Sequence, residues 1–124
     1  MLVFLATALL SILLHVGLGW EATVLAGVFG GAWSRDRWFV SGAGVALGWG
    51  LLVLYTPLVA PAAFRVLLDT VGAFGGNIPG AVVVGLTVFL GGVLGMLGAA
   101  AGRLLRLLAT EASAPAPRED TDVG

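Results

Sequence analysis

From Thr70 to Gly102, thirty-three consecutive residues carry no charge. No soluble helix or strand needs so long an apolar run, whereas a membrane span takes about 20 such residues. Gly75-Gly76-Asn77-Ile78-Pro79-Gly80 interrupts the run with a turn signal, and Pro79 suits the first turn of a following helix. The sequence therefore predicts a turn and then a span over residues 79–102. That span is marked by glycine. At 100° per residue, Gly91, Gly95, Gly98 and Gly102 share one face with Thr87, while Leu86, Phe89, Leu90, Val93 and Leu97 cover much of the rest. The smooth face predicts close approach of another helix, and the large side chains suit lipid.

Composition extends this reading to the whole chain. Hydrophobic residues make up 59% and charged residues 10%, against a soluble average of about 25% charged. At roughly 20 residues per span, the 124-residue chain has room for four spans and none for a separate soluble domain. Residues 2–18 form the first; with no basic residue after Met1 and no small-x-small cleavage site, they read as a retained helix rather than a signal peptide. Residues 20–34 form a short second span with Trp20 and Trp33 as interface anchors, and Ala26 and Gly30 on a small-residue face. Residues 38–55 form the third. Ser41, Gly44 and Gly48 lie on one of its faces and Gly42, Ala46 and Gly50 on another, which implies two close neighbours. Pro57 and Pro61 are expected to end it.

Residues 58–74 read differently. Arg65 and Asp69 fall mid-segment, one turn apart, opposite an apolar face of Phe64, Leu67, Leu68, Val71 and Phe74. This pattern predicts an interfacial or re-entrant helix with an ion pair at the headgroups, because a charge at the bilayer centre costs about 3 kcal/mol or more. Arginine placement agrees. Arg35 with Arg37, and Arg103 with Arg106, are the basic clusters near span ends; both face the cytoplasm only if residues 58–74 do not cross. The expected fold is thus an all-α integral membrane protein: a four-span bundle over residues 1–109, an interfacial helix, and an acidic, Pro-rich, disordered tail over residues 110–124. It would be a multi-pass protein of the cell membrane with both termini cytoplasmic.

Few residues offer chemistry. Lysine and cysteine are absent and His15 is the lone histidine, which excludes a Walker P-loop, disulfides and a histidine-built metal site within one chain. No catalytic set, metal or cofactor is expected, and nothing suggests a nucleic-acid partner. Thr7, Ser11 and His15 recur every four residues on one face of the first span, followed by Glu21. They are candidates for a polar path, or for hydrogen bonds that bridge helices. Arg35, Arg37, Arg103 and Arg106 are expected at lipid headgroups, each interaction contributing about 1 kcal/mol. The helix-packing candidates are Gly91, Gly95, Gly98, Gly102, Gly44, Gly48, Ala26 and Gly30. Small-residue faces so extensive, beside so few polar groups, predict a non-enzymatic protein that acts by helix association, as an accessory or self-assembling subunit. Its partners would be the bilayer and either a second copy or another membrane protein. The alternative expectation is a minimal proton, ion or small-solute transporter or channel using the Thr7, Ser11 and His15 face.

Overall fold

The computed structural model describes residues 1–34 and 37–113; Arg35, Asp36 and the last eleven residues of the acidic tail lie outside it. Among the described residues, helix is the only regular secondary structure. Five α-helices follow in order: α1 (Leu2–Leu18), α2 (Thr23–Trp33), α3 (Trp38–Val59), α4 (Pro61–Phe74) and α5 (Gly80–Ala112). A single 3-10 turn, Trp20–Ala22, joins α1 to α2. Gly19 makes that connection possible, because its φ of 105° is in the left-handed region that side-chain-bearing residues avoid. The α4–α5 turn uses Gly76 at φ 87° and Asn77 at φ 64°, asparagine being among the few non-glycine residues that tolerate this conformation.

At 1.5 Å per residue α3 rises about 33 Å and α5 about 50 Å, against roughly 30 Å of bilayer hydrocarbon. These two helices have the length and apolarity to cross a membrane. The helix α1 rises about 25 Å and α2 only about 17 Å.

Contacts between glycines and their neighbours fix the directions. Along α1, Phe4, Thr7 and Ala8 meet Gly44, and then Ala8 and Ser11 meet Gly48, so α1 and α3 run parallel. Gly42, Val45, Ala46 and Trp49 meet Met96, Gly95, Gly92 and Gly91 in descending order, so α5 runs antiparallel to α3. The helix α2 runs parallel to α5, with Gly27 against Gly95 and Gly98, and Gly31 against Ala99. The end of α2, the start of α3 and the Arg103–Arg106 turn of α5 therefore meet at one end of the bundle. The helix α4 lies at the other end and rests lightly on α3 and α5.

Two boundaries differ from the sequence expectation. The helix α3 passes through Pro57 to Val59 rather than stopping before it. A proline in the last turn forfeits only the N–H that would reach Val53, and Ala60 still closes the turn by donating to Thr56 at 2.9 Å. The helix α5 does not stop near Gly102 but continues to Ala112, since Leu, Arg and Ala favour helix and no proline intervenes before Pro115.

The interior is made of small and hydroxylated residues. Its fully covered hydrophobic residues are Ala8, Ala26, Val45 and Ala99, joined by Thr7, Ser11, Thr23 and Ser41 at 0–1% exposure. Leu2, Leu5, Leu9, Leu13 and Val16 of α1 all face outward, as do Leu86, Phe89, Leu90, Val93 and Leu97 of α5.

Candidate functional site

Two features adjoin: a sealed polar seam between α1, α2 and α3, and a cavity at the α4 end. The seam begins at Thr7, whose hydroxyl donates to the Val3 carbonyl at 2.6 Å. Gly30 of α2 lies against it so closely that a Cβ there would fall 2.6 Å from Thr7 Oγ1 and 2.7 Å from Ser41 Oγ. Glycine thus lets three helices converge on two hydroxyls. Ser34 continues the seam, donating to the Gly30 carbonyl at 2.8 Å and lying 3.5 Å from Ser41 Oγ. One turn along α1, Ser11 is covered by Gly48, and its hydroxyl has no hydrogen-bond partner.

His15 ends the row. Its imidazole meets the Trp49 indole edge-on, with ring centroids 5.4 Å apart and planes at 82°. His15 Nδ1 and Trp49 Nε1 are both buried without partners. The indole lies in turn on Gly91 of α5, so one level of the bundle joins α1, α3 and α5. Glu21, the last candidate of the row, is exposed in the 3-10 turn beyond His15.

Beside this level a partly open cavity of about 350 Å³ lies between α3, α4 and α5. Its volume falls in the roughly 300–1,000 Å³ range of small-molecule sites. The helix α4 contributes an apolar wall of Phe64, Leu67, Leu68 and Val71. Opposite stand Thr56 of α3 and Thr87 of α5, with His15 and Trp49 at the α1 side. Each threonine spends its proton within its own helix, Thr56 on the Leu52 carbonyl at 2.8 Å and Thr87 on the Val83 carbonyl at 2.9 Å. With the hydroxyls so engaged, their oxygens keep lone pairs that can accept hydrogen bonds.

The glycine candidates occupy the helix crossings. Gly91 and Gly95 pack on Trp49 and Val45 of α3, whereas Gly98 and Gly102 pack on Val24 and Val28 of α2. Gly44 and Gly48 meet α1, and Ala26 is fully buried. The charged candidates are more dispersed. Arg65 and Asp69 are exposed on α4, and Arg37 and Arg103 are exposed at the opposite end of the bundle. Arg106 is half-buried and donates to the Ala32 carbonyl of α2 at 3.4 Å. This contact joins residues 74 positions apart and has no signal in the sequence. The cavity was equally hidden, because its walls come from four helices. Among the described residues no three potential metal ligands cluster together.

Comparison of the chain with protein-family models, curated proteins and solved structures finds no match.

Proposed function

We propose that this chain is a small, non-enzymatic integral membrane protein: a four-span bundle with both termini cytoplasmic that works by associating with other membrane components. One observation carries the reading, the inverted distribution of side chains. Hydroxylated and small residues fill the interior, and leucine, valine and phenylalanine cover the outside. In water that outer surface would be one continuous apolar patch, far larger than the few hundred Å² a soluble monomer exposes. In lipid it needs no other cover, and the hydroxyls are best placed inside.

The meeting of Arg37, Arg103 and Arg106 at one end supports the orientation, with both arginine clusters on the cytoplasmic face. The short α2 fits local thinning of the bilayer around it. Because the glycine faces are occupied by neighbours within the chain, association would use the outer leucine-rich surfaces, as an accessory subunit does, rather than a glycine-to-glycine dimer. The transport alternative gains less support, since Thr7 is covered by Gly30 and Gly44, Ser11 by Gly48, and both are fully buried.

Alkaline carbonate extraction of native membranes, together with reporter fusions at Asn77 and after Thr110, tests this reading. The protein should stay in the pellet, with Asn77 outside and the C-terminal reporter inside. Extraction into the supernatant, or both reporters on one side, would overturn it. Proteins that co-purify from the same membranes in stoichiometric amount would identify the partner.

A further inference from the structure

We propose that the cavity beneath α4 is a binding site for a neutral alcohol with an apolar body, such as a fatty or isoprenoid alcohol that partitions into lipid. The size of the cavity and its nearly continuous apolar wall call for a hydrophobic body. Its polar groups specify the head. The hydroxyls of Thr56 and Thr87 donate to the Leu52 and Val83 carbonyls, and in that arrangement each offers its lone pairs to a ligand. Pro57 has no N–H, which leaves the carbonyl of Val53, another lining residue, without its usual helical donor. His15 Nδ1 and Trp49 Nε1 are closed off by packing and take no part in holding the head. A complementary head must therefore supply a hydrogen.

The same lining contains no Asp, Glu, Lys or Arg. An ammonium or carboxylate head would be buried without a counter-charge, which is costly, whereas a hydroxyl would not. Hydrogen-bond polarity and absence of a counter-charge together call for a neutral donor head, of which a hydroxyl is the simplest. The route of entry follows from α4, which rests only lightly on α3 and α5 and leaves the cavity partly open. Given the membrane reading above, the ligand enters from the bilayer rather than from water.

The test uses full-length protein in lipid nanodiscs, with Trp20, Trp33 and Trp38 changed to Phe so that Trp49 is the only energy donor. Co-elution of protein and nanodisc is checked first; failure to incorporate would overturn the membrane reading on which the route rests, whereas failure to bind after incorporation would overturn the site itself. Retinol, an apolar fluorescent alcohol, is the probe. Energy transfer from Trp49 should saturate and be displaced by 1-dodecanol but not by dodecane. Leu68→Phe, whose larger ring intrudes on the cavity without adding an indole, is expected to abolish saturable transfer from Trp49. The near-isosteric pair Thr56→Val and Thr87→Val removes both acceptors without changing volume and should weaken retinol about tenfold. Transfer that rises linearly without saturation, equal displacement by dodecane and dodecanol, or unchanged retinol binding in the valine pair would each overturn the proposal.

Discussion

The Trp49 indole lies directly on the backbone of Gly91: a Cβ built at Gly91 would fall 2.5 Å from Trp49 Cγ and 2.6 Å from Cδ2. His15 packs against the same indole in a T-shaped arrangement, with ring centroids 5.4 Å apart, which restricts the room the ring has to move. Three helices are thus held at one level by a glycine, an indole and an imidazole. The same indole forms part of the cavity wall, so packing at this level also shapes the candidate ligand site.

Gly91→Ala should therefore overpack the junction. The expected loss is about 1–3 kcal/mol of stability, the usual range for an extra methyl group in a tightly packed site. Reversible unfolding in mixed micelles by denaturing-detergent titration would measure it. Trp49→Leu placed in the Gly91→Ala background should return part of the loss. A double variant no better than the sum of the two single changes would show that the contact does not limit packing there.

Gly102 and Gly85 make a sharper comparison on the same helix. A Cβ at Gly102 would collide with the backbone carbonyl of Val28, which cannot move without shifting α2; a Cβ at Gly85 would meet nothing within 4 Å. Gly102→Ala should separate α2 from α5 and cost more than about 2 kcal/mol. Gly85→Ala should be neutral or stabilising by up to about 1 kcal/mol, as alanine favours helix over glycine. The same titration reads both variants, and equal losses would contradict the packing described above.

This comparison also shows how far the amino-acid pattern could be read. Residues three and four apart share a helix face by geometry alone, so the glycine stripe of α5 and the Thr7–Ser11–His15 row were legible as faces. Their neighbours were not. Small residues present nearly identical surfaces, and nothing in the spacing tells Gly91, which meets α3, from Gly102, which meets α2. The interior character of the hydroxyl row also depends on helices brought together from distant parts of the chain. Gly30 closes over Thr7, and Gly48 over Ser11. Pro57 looked like a terminator because its lost hydrogen bond is a local cost, but in the last turn of α3 that cost is confined to a single carbonyl.

Arg106 supplies a prediction about the short second helix. Its guanidinium donates to the carbonyl of Ala32 at the C-terminal end of α2, where unpaired carbonyls and the helix dipole both favour a cation. At 3.4 Å and half-exposed, the contact should contribute only about 1 kcal/mol. Arg106→Gln is expected to lower stability by that amount and to speed amide exchange in the last turn of α2. Arg103→Gln, an exposed change, should leave that exchange rate unaltered. If both substitutions act alike, Arg106 contributes through general headgroup attraction and not through α2.

Ser11 and Thr23 separate packing from passage along the polar seam. Both are fully buried, and neither hydroxyl has a hydrogen-bond partner. A buried hydroxyl with no partner has lost its solvation without compensation, so removing it should do no harm. Ser11→Ala and the near-isosteric Thr23→Val are expected to leave stability unchanged or raise it by about 1 kcal/mol. Vesicles containing the wild type and Ser11→Ala, loaded with a pH-sensitive dye under an imposed gradient, supply the complementary measurement. If the seam is only a packed interface, proton flux should match that of empty vesicles for both proteins. Flux in the wild type that Ser11→Ala abolishes would show that the seam opens, and that its unpartnered hydroxyl serves a moving proton or water rather than the resting bundle.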